Sequence, residues 1–180
     1  LYANLGEQAL APSDVALDLG SFSKMFSQPR ALTQDEIEDI IQRFANSARL
    51  AESAGFTGVQ IHSAHGYLLS QFLSPLVNQR EDQWGGSLEN RARLLLEVVK
   101  RVRQSVSADF CVSVKLNSAD FQKGGFDTDD AKWVVEQLSR MSVDMIELSG
   151  GSYESPAMQG RAEDGTSTAR REGYFVEFAR

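Results

Sequence analysis

Residues 61–75 read IHSAHGYLLSQFLSP. The stretch opens at the end of a short apolar strand, residues 57–61, and presents His62, His65 and Tyr67 before an apolar helical pattern over Leu68–Leu73. Both histidines of the 180-residue chain lie here. Two imidazoles three positions apart at a strand-to-helix junction, with a tyrosine two positions on, have the make-up of a site that holds and protonates an oxygen-bearing ligand. Read from the residues alone, the pair stays open to two plainer roles, satisfied polar groups at a strand end or metal ligands. No carboxylate or cysteine sits at ligand spacing beside them, so no metal site is expected.

Towards the N-terminus, Thr33 followed by Glu36 forms a capping box, and Ile37, Ile40, Ile41, Phe44, Ala48 and Ala51 recur at helical spacing until Gly55 supplies a left-handed stop. That predicts a helix over 33–54. In the following strand Val59 and Ile61 share one face, Gln60 and His62 the other. Residues 1–32 carry Gly6, Pro12, Gly20 and Pro29 with little periodicity, and 9–15 and 26–31 read as surface loop.

Towards the C-terminus, Gly85 and Gly86 make a turn and Ser87 caps a helix whose buried stripe is Leu88, Ala92, Leu95, Val99, Val102 and Val106. Around that turn Arg80, Asp82, Asn90, Arg91 and Arg93 are expected to lock the loop, Trp84 and Trp133 to pack, and Lys100, Arg101 and Arg103 to form a solvated face. A strand over 110–117 places Cys111, Ser113, Lys115 and Asn117 on one face and Phe110, Val112, Val114 and Leu116 on the other. A helix capped by Thr128, a strand over 143–148, a long polar loop and a helix starting near Glu172 complete the pattern.

Strands alternating with helices imply a parallel sheet, because parallel neighbours need long right-handed crossovers. A polar face on the second strand, functional residues at strand C-terminal ends and the absence of G-x-G-x-x-G favour part of a (β/α)8 TIM barrel over a doubly wound sheet. A complete barrel takes roughly 250 residues, so one incomplete barrel domain, about half, is expected over 1–180, with 1–32 as loop-rich lead-in and 33–180 as βα units.

The formal charge of −7 and pI near 4.9 argue against a nucleic-acid or anionic-membrane partner. A single cysteine, Cys111, fits a reducing, cytoplasmic compartment and reads as a small buried hydrophobe. No apolar run of membrane-spanning length occurs.

The segment 61–75, together with N-x-R-x-D-x-W-G-G-S-x-x-N-R-x-R over 78–93 and the flanks PRALTQDEI and VSVKLNSADF, resembles the Old Yellow Enzyme family of NADH:flavin oxidoreductases. The resemblance implies an FMN-dependent enzyme that uses NAD(P)H to reduce the activated C=C bond of a small enone or quinone-like substrate. It implies that His62 and His65 bind the substrate's oxygen, that Tyr67 is the catalytic proton donor, and that Lys115 lies against the flavin N1/O2 edge. Lys115 is equally readable as the partner of an acid on a neighbouring strand. Two other readings remain open, a non-catalytic remnant and a different barrel enzyme using the histidines as acid and base.

In that family the first strands contact the isoalloxazine ring and the last two hold the FMN phosphate, so the sequence, which opens on Leu1, reads as an internal fragment. A partial sheet with open edges is expected to be marginal alone, to associate as a homo-oligomer, or to aggregate.

Overall fold

The computed structural model describes residues 8–154 and Phe178. In chain order the elements are β1 (Leu10–Ala11), a 3-10 helix (Gly20–Met25), β2 (Arg30–Ala31), α1 (Gln34–Ser53), β3 (Gly58–Ser63), α2 (Leu68–Leu73), α3 (Leu88–Ser105), β4 (Cys111–Asn117), α4 (Thr128–Leu138) and β5 (Met145–Ser149). The polar loop and the helix expected after residue 154 lie outside the described residues.

Helix α1 starts where its sequence says it should. Thr33 Oγ1 accepts from the Glu36 amide at 3.3 Å and Glu36 Oε2 accepts from the Thr33 amide at 2.9 Å, satisfying two amides that the helix cannot pair itself. Arg30 grips both oxygens of the same carboxylate at 2.5 and 2.8 Å, and this fork holds the Glu36 carboxyl down at about 2. The helix ends as Gly55 turns left-handed with φ of 87°. Helix α4 departs from expectation by one residue: Asp127, not Thr128, is its cap. The Asp127 carboxylate accepts from the amides of Asp129 and Asp130 at 2.9 and 3.0 Å, and an ionised acceptor at the positive helix end outcompetes a hydroxyl.

Strands β3, β4 and β5 form a parallel sheet in that order. One face is the core. Ile61, Val112, Val114 and Leu116 are buried against Ile37, Ile41 and Ala48 of α1, Leu95, Val98, Val99 and Val102 of α3, and Ala131, Val134 and Leu138 of α4. Each fully buried aliphatic side chain contributes about 1.5–3 kcal/mol, so the central strand is fixed chiefly by burial. Alternation then turns the even positions of β3 and the odd positions of β4 and β5 to the opposite face. The register stacks Gln60, Ser113 and Met145 in one row and His62, Lys115 and Glu147 in the next, with Asn117 beside Ser149 above them. Polar residues thus gather towards the C-terminal ends of the strands.

The same alternation corrects the reading of Cys111. It is exposed, because it begins β4 on the polar face and not on the face that the helices cover. The lead-in is also more ordered than its sequence suggests. β1 and β2 pair in parallel, with the Arg30 amide on Ala9 O at 2.9 Å and the Leu32 amide on Ala11 O at 3.0 Å, and Ala11 and Leu32 are buried. Strands of two residues carry no readable period.

The loop after α2 is locked as its composition implies. Arg80 bonds Asp82 and donates to the carbonyls of Pro12 and Leu32 at 2.9 and 2.7 Å. Buried Arg91 donates to the carbonyls of Leu73 and Gly86 and reaches Asp130 at 3.2 Å. Trp84 is buried with its Nε1 on Gln34 Oε1 at 2.6 Å. Arg103 is not part of a solvated face: it donates to Phe110 O at 2.8 Å and to Ser107 O, tying the end of α3 to the approach to β4. No helix among the described residues is long and apolar enough to cross a membrane.

Candidate active site

The chain leaves β3 at Ser63 and turns at His65 and Gly66, both left-handed with φ of 63° and 77°. A left-handed histidine is disfavoured and needs outside support. Asn117, at the end of β4, supplies it. Its Oδ1 accepts from the His65 amide at 3.3 Å, while its Nδ2 donates to Asp120 Oδ1 at 2.9 Å and to Gly151 O at 2.8 Å. One buried amide therefore joins the loops that follow β3, β4 and β5.

That turn brings together the three residues singled out beside the strand end. The rings of His62 and His65 stand edge to face with centroids 5.2 Å apart, and Tyr67 meets His62 edge to face at 4.9 Å. Burial pushes the pKa of both imidazoles below the ordinary histidine value, and the Lys115 ammonium pushes the same way. Both rings are therefore neutral at neutral pH. His62 Nδ1 faces the Ala64 amide at 3.3 Å and accepts from it, which places the ring proton on Nε2. His65 Nε2 pairs with Ser149 Oγ at 2.6 Å.

Lys115 sits beside His62 in the register, its Nζ 2.8 Å from Glu147 Oε1 on β5. The ion pair with a neighbouring strand's acid, one of the two readings of this lysine, is thus formed. Gln60 Nε2 donates to the second Glu147 oxygen at 2.9 Å, and the carboxyl is held below the usual carboxylate range first by Lys115 and then by Gln60. No group of His, Cys, Asp and Glu that could hold a metal occurs among the described residues.

Sequence reasoning missed Ser149, Asn117, Asp120 and Tyr153 as parts of this site. Tyr153 follows β5, and its hydroxyl is hydrogen-bonded to the Tyr67 hydroxyl, the rings edge to face at 5.5 Å. Ser149 and Asn117 were detectable in principle as polar residues closing parallel strands, where loops converge. Nothing local marks Tyr153, which reaches the site across 86 residues.

Known proteins resemble this chain in sequence and fold. The profile of the NADH:flavin oxidoreductase / NADH oxidase family matches residues 3–180. The NADH-dependent flavin oxidoreductase nadA of Aspergillus parasiticus is 40% identical over 172 residues, which is 96% of this chain and 38% of that protein. The chain thus spans about two fifths of that relative's length. Among solved structures, a 2-naphthoyl-CoA reductase in complex with 2-naphthoyl-CoA superposes with a TM-score of 0.82 at 32% identity, over 96% of this chain and 25% of the other. The Old Yellow Enzyme homologue of Zymomonas mobilis gives 0.70 at 34% identity, over 81% of this chain and 42% of the other. The three parallel strands and their covering helices are accordingly a segment of the (β/α)8 barrel of these enzymes. Flavin and a nicotinamide reductant are the cofactors this assignment implies. The match along residues 3–180, together with the fold shared at about a third identity, shows that the chain belongs to the NADH:flavin oxidoreductase / NADH oxidase family.

Proposed function

We propose that this chain supplies the substrate-binding and proton-delivering part of an FMN-dependent enzyme that uses NADH or NADPH to reduce the activated C=C bond of a small enone or quinone-like acceptor. The observation that carries the reading is the edge-to-face pair of His62 and His65 at the strand end, with Tyr67 packed against it. The donor set of the polar sheet face fits a flavin: the Lys115 cation and the Gln60 amide are of the type that the carbonyl and nitrogen edge of an isoalloxazine accepts from. FMN held there would supply, once reduced by the nicotinamide, the hydride for the substrate's β carbon.

The chain's own residues account for the rest. His62, with its proton on Nε2, donates to the substrate's carbonyl oxygen, and His65 adds a second contact there. Such donors are worth most when charge develops on the oxygen, and loss of one costs about 3 kcal/mol in comparable anion holes. Being neutral, the imidazoles donate without giving up their protons. Tyr67 passes its hydroxyl proton to the α carbon, leaving its own oxygen as phenolate. Lys115 would lie against the flavin N1/O2 edge, sharing its charge between that edge and Glu147. The acidic surface and single cysteine fit a cytoplasmic setting.

The purified protein, mixed with FMN and passed through a sizing column, is expected to carry a visible flavin spectrum that bleaches with NADH and returns with cyclohexenone. Lys115→Met is expected to weaken flavin retention about tenfold while leaving thermal stability nearly unchanged, because its ion partner Glu147 is half-exposed. Protein that stays colourless under these conditions would sink the reading.

A further inference from the structure

The hydroxyl of Tyr67 is bonded to the hydroxyl of Tyr153, on the loop after β5. The contact is braced from several sides. Ser152 bridges to His65 in parallel fashion, and its Oγ reaches Gln122 Oε1 at 3.2 Å. The Gly151 amide donates to Ala119 O at 3.0 Å. The Glu154 carboxylate accepts from the Asp18 amide at 2.6 Å and from Gln122 Nε2 at 3.3 Å. Residues on either side of Tyr153 are thereby tied to the lead-in, to the loop after β4 and to the His65 turn. Tyr153 is 41% exposed and Tyr67 46%, so the pair stands at the solvent edge, where the Tyr153 hydroxyl draws its replacement proton from water.

We propose that Tyr153 is a positioning and proton-relay residue acting through Tyr67, a role that rests on the reduction proposed above. When Tyr67 gives its proton to the substrate's α carbon, an O–H bond breaks and a C–H bond forms, and the charge stays on the Tyr67 oxygen. The Tyr153 hydroxyl, already hydrogen-bonded to that oxygen, transfers its proton to it. Tyr153, now the phenolate, takes a proton from water or a buffer acid. Each turnover thus moves one solvent proton to the substrate with no net change in either tyrosine and no electron moved by the relay. Before transfer the Tyr153 hydroxyl also fixes the rotor of the Tyr67 hydroxyl, which in isolation turns freely about its C–O bond.

The phenol–phenol bond also raises the pKa of Tyr153 above the ordinary tyrosine value, with its Tyr67 partner as the largest cause. That gives a test that needs no flavin. With tyrosines carbon-13 labelled at Cζ, the Tyr153 signal should titrate higher in the wild type than in Tyr67→Phe. An unchanged Tyr153 titration in that variant overturns the pair. The second arm is turnover of the flavin-loaded protein. Tyr153→Phe keeps the ring and removes only the hydroxyl, so kcat should fall about tenfold with KM unchanged and with a larger solvent deuterium isotope effect. Loss of thermal stability with unchanged kcat and isotope effect would make Tyr153 merely structural and overturn the relay. If the phenols are coupled but the protein takes up no flavin, the oxidoreductase reading fails, and the relay falls with it while the pair stands.

Discussion

Nε2 of His65 lies 2.6 Å from Oγ of Ser149, a bond that spans from the turn after β3 to the end of β5, with β4 between them. It fixes the plane of a ring whose backbone is already held left-handed by Asn117. A hydrogen bond of this kind is worth about 1 kcal/mol, or about a fivefold change in an equilibrium. Ser149→Ala should therefore lower kcat/KM for an enone by about fivefold to tenfold while leaving flavin reduction by NADH unchanged. Equal losses in both half-reactions would show that Ser149 supports the sheet and not His65.

The carboxyl of Asp120, buried beside Asn117 and only 3% exposed, is pushed up to about 6 from 3.8 by burial. The folded protein therefore keeps this proton to higher pH than the unfolded chain does. Between about 4 and about 6 the folded state binds more protons, so this group's contribution to stability falls as the pH rises. His62 and His65 act in the opposite sense: the unfolded chain takes up protons first as the pH drops below 6.5, and stability falls with it. Denaturation midpoints taken from pH 4 to 9 should show the Asp120 component as a difference between wild type and Asp120→Asn. That difference should change between pH 4 and 6 and be flat above pH 7.

Arg91 is 7% exposed, and its guanidinium serves Leu73 O, Gly86 O and Asp130 together. Replacing it by Met strands two carbonyls and leaves Asp130 without its charge partner, a loss of about 3 kcal/mol. Arg91→Lys keeps the charge but not the planar fork and should recover less than half of that. Urea unfolding of the three proteins gives the comparison, and equal stability of wild type and Arg91→Met would refute the locking role.

The parts of this molecule that announce themselves in sequence are those governed by local rules. The Thr33–Glu36 capping box, the Gly55 stop and the alternation that puts Lys115 and Asn117 on one face of β4 each follow from spacing within a few residues. Asp127 displaced Thr128 as cap because adjacent capping residues compete, and the charged one wins at a helix N-terminus. Composition favours burial for a cysteine, but the position of Cys111 in β4 sets it on the exposed polar face. The Lys115–Glu147 pair was foreseen as a type of contact but not as a partner, since the partner depends on strand register. Tyr153 and Asp120 enter the site only through loops after successive strands, and no spacing rule links them to His65.

Stopped mixing of the NADH-reduced, flavin-loaded protein with cyclohexenone, compared between wild type and Tyr67→Phe under anaerobic conditions, tests the account at its centre. Tyr67→Phe should be reduced by NADH at the wild-type rate and reoxidised by the enone at least about a hundredfold more slowly, the scale of a lost general acid. Reoxidation of both proteins at the same rate would contradict the assignment of proton delivery to Tyr67, and the wild type's failure to react with the enone at all would contradict the site.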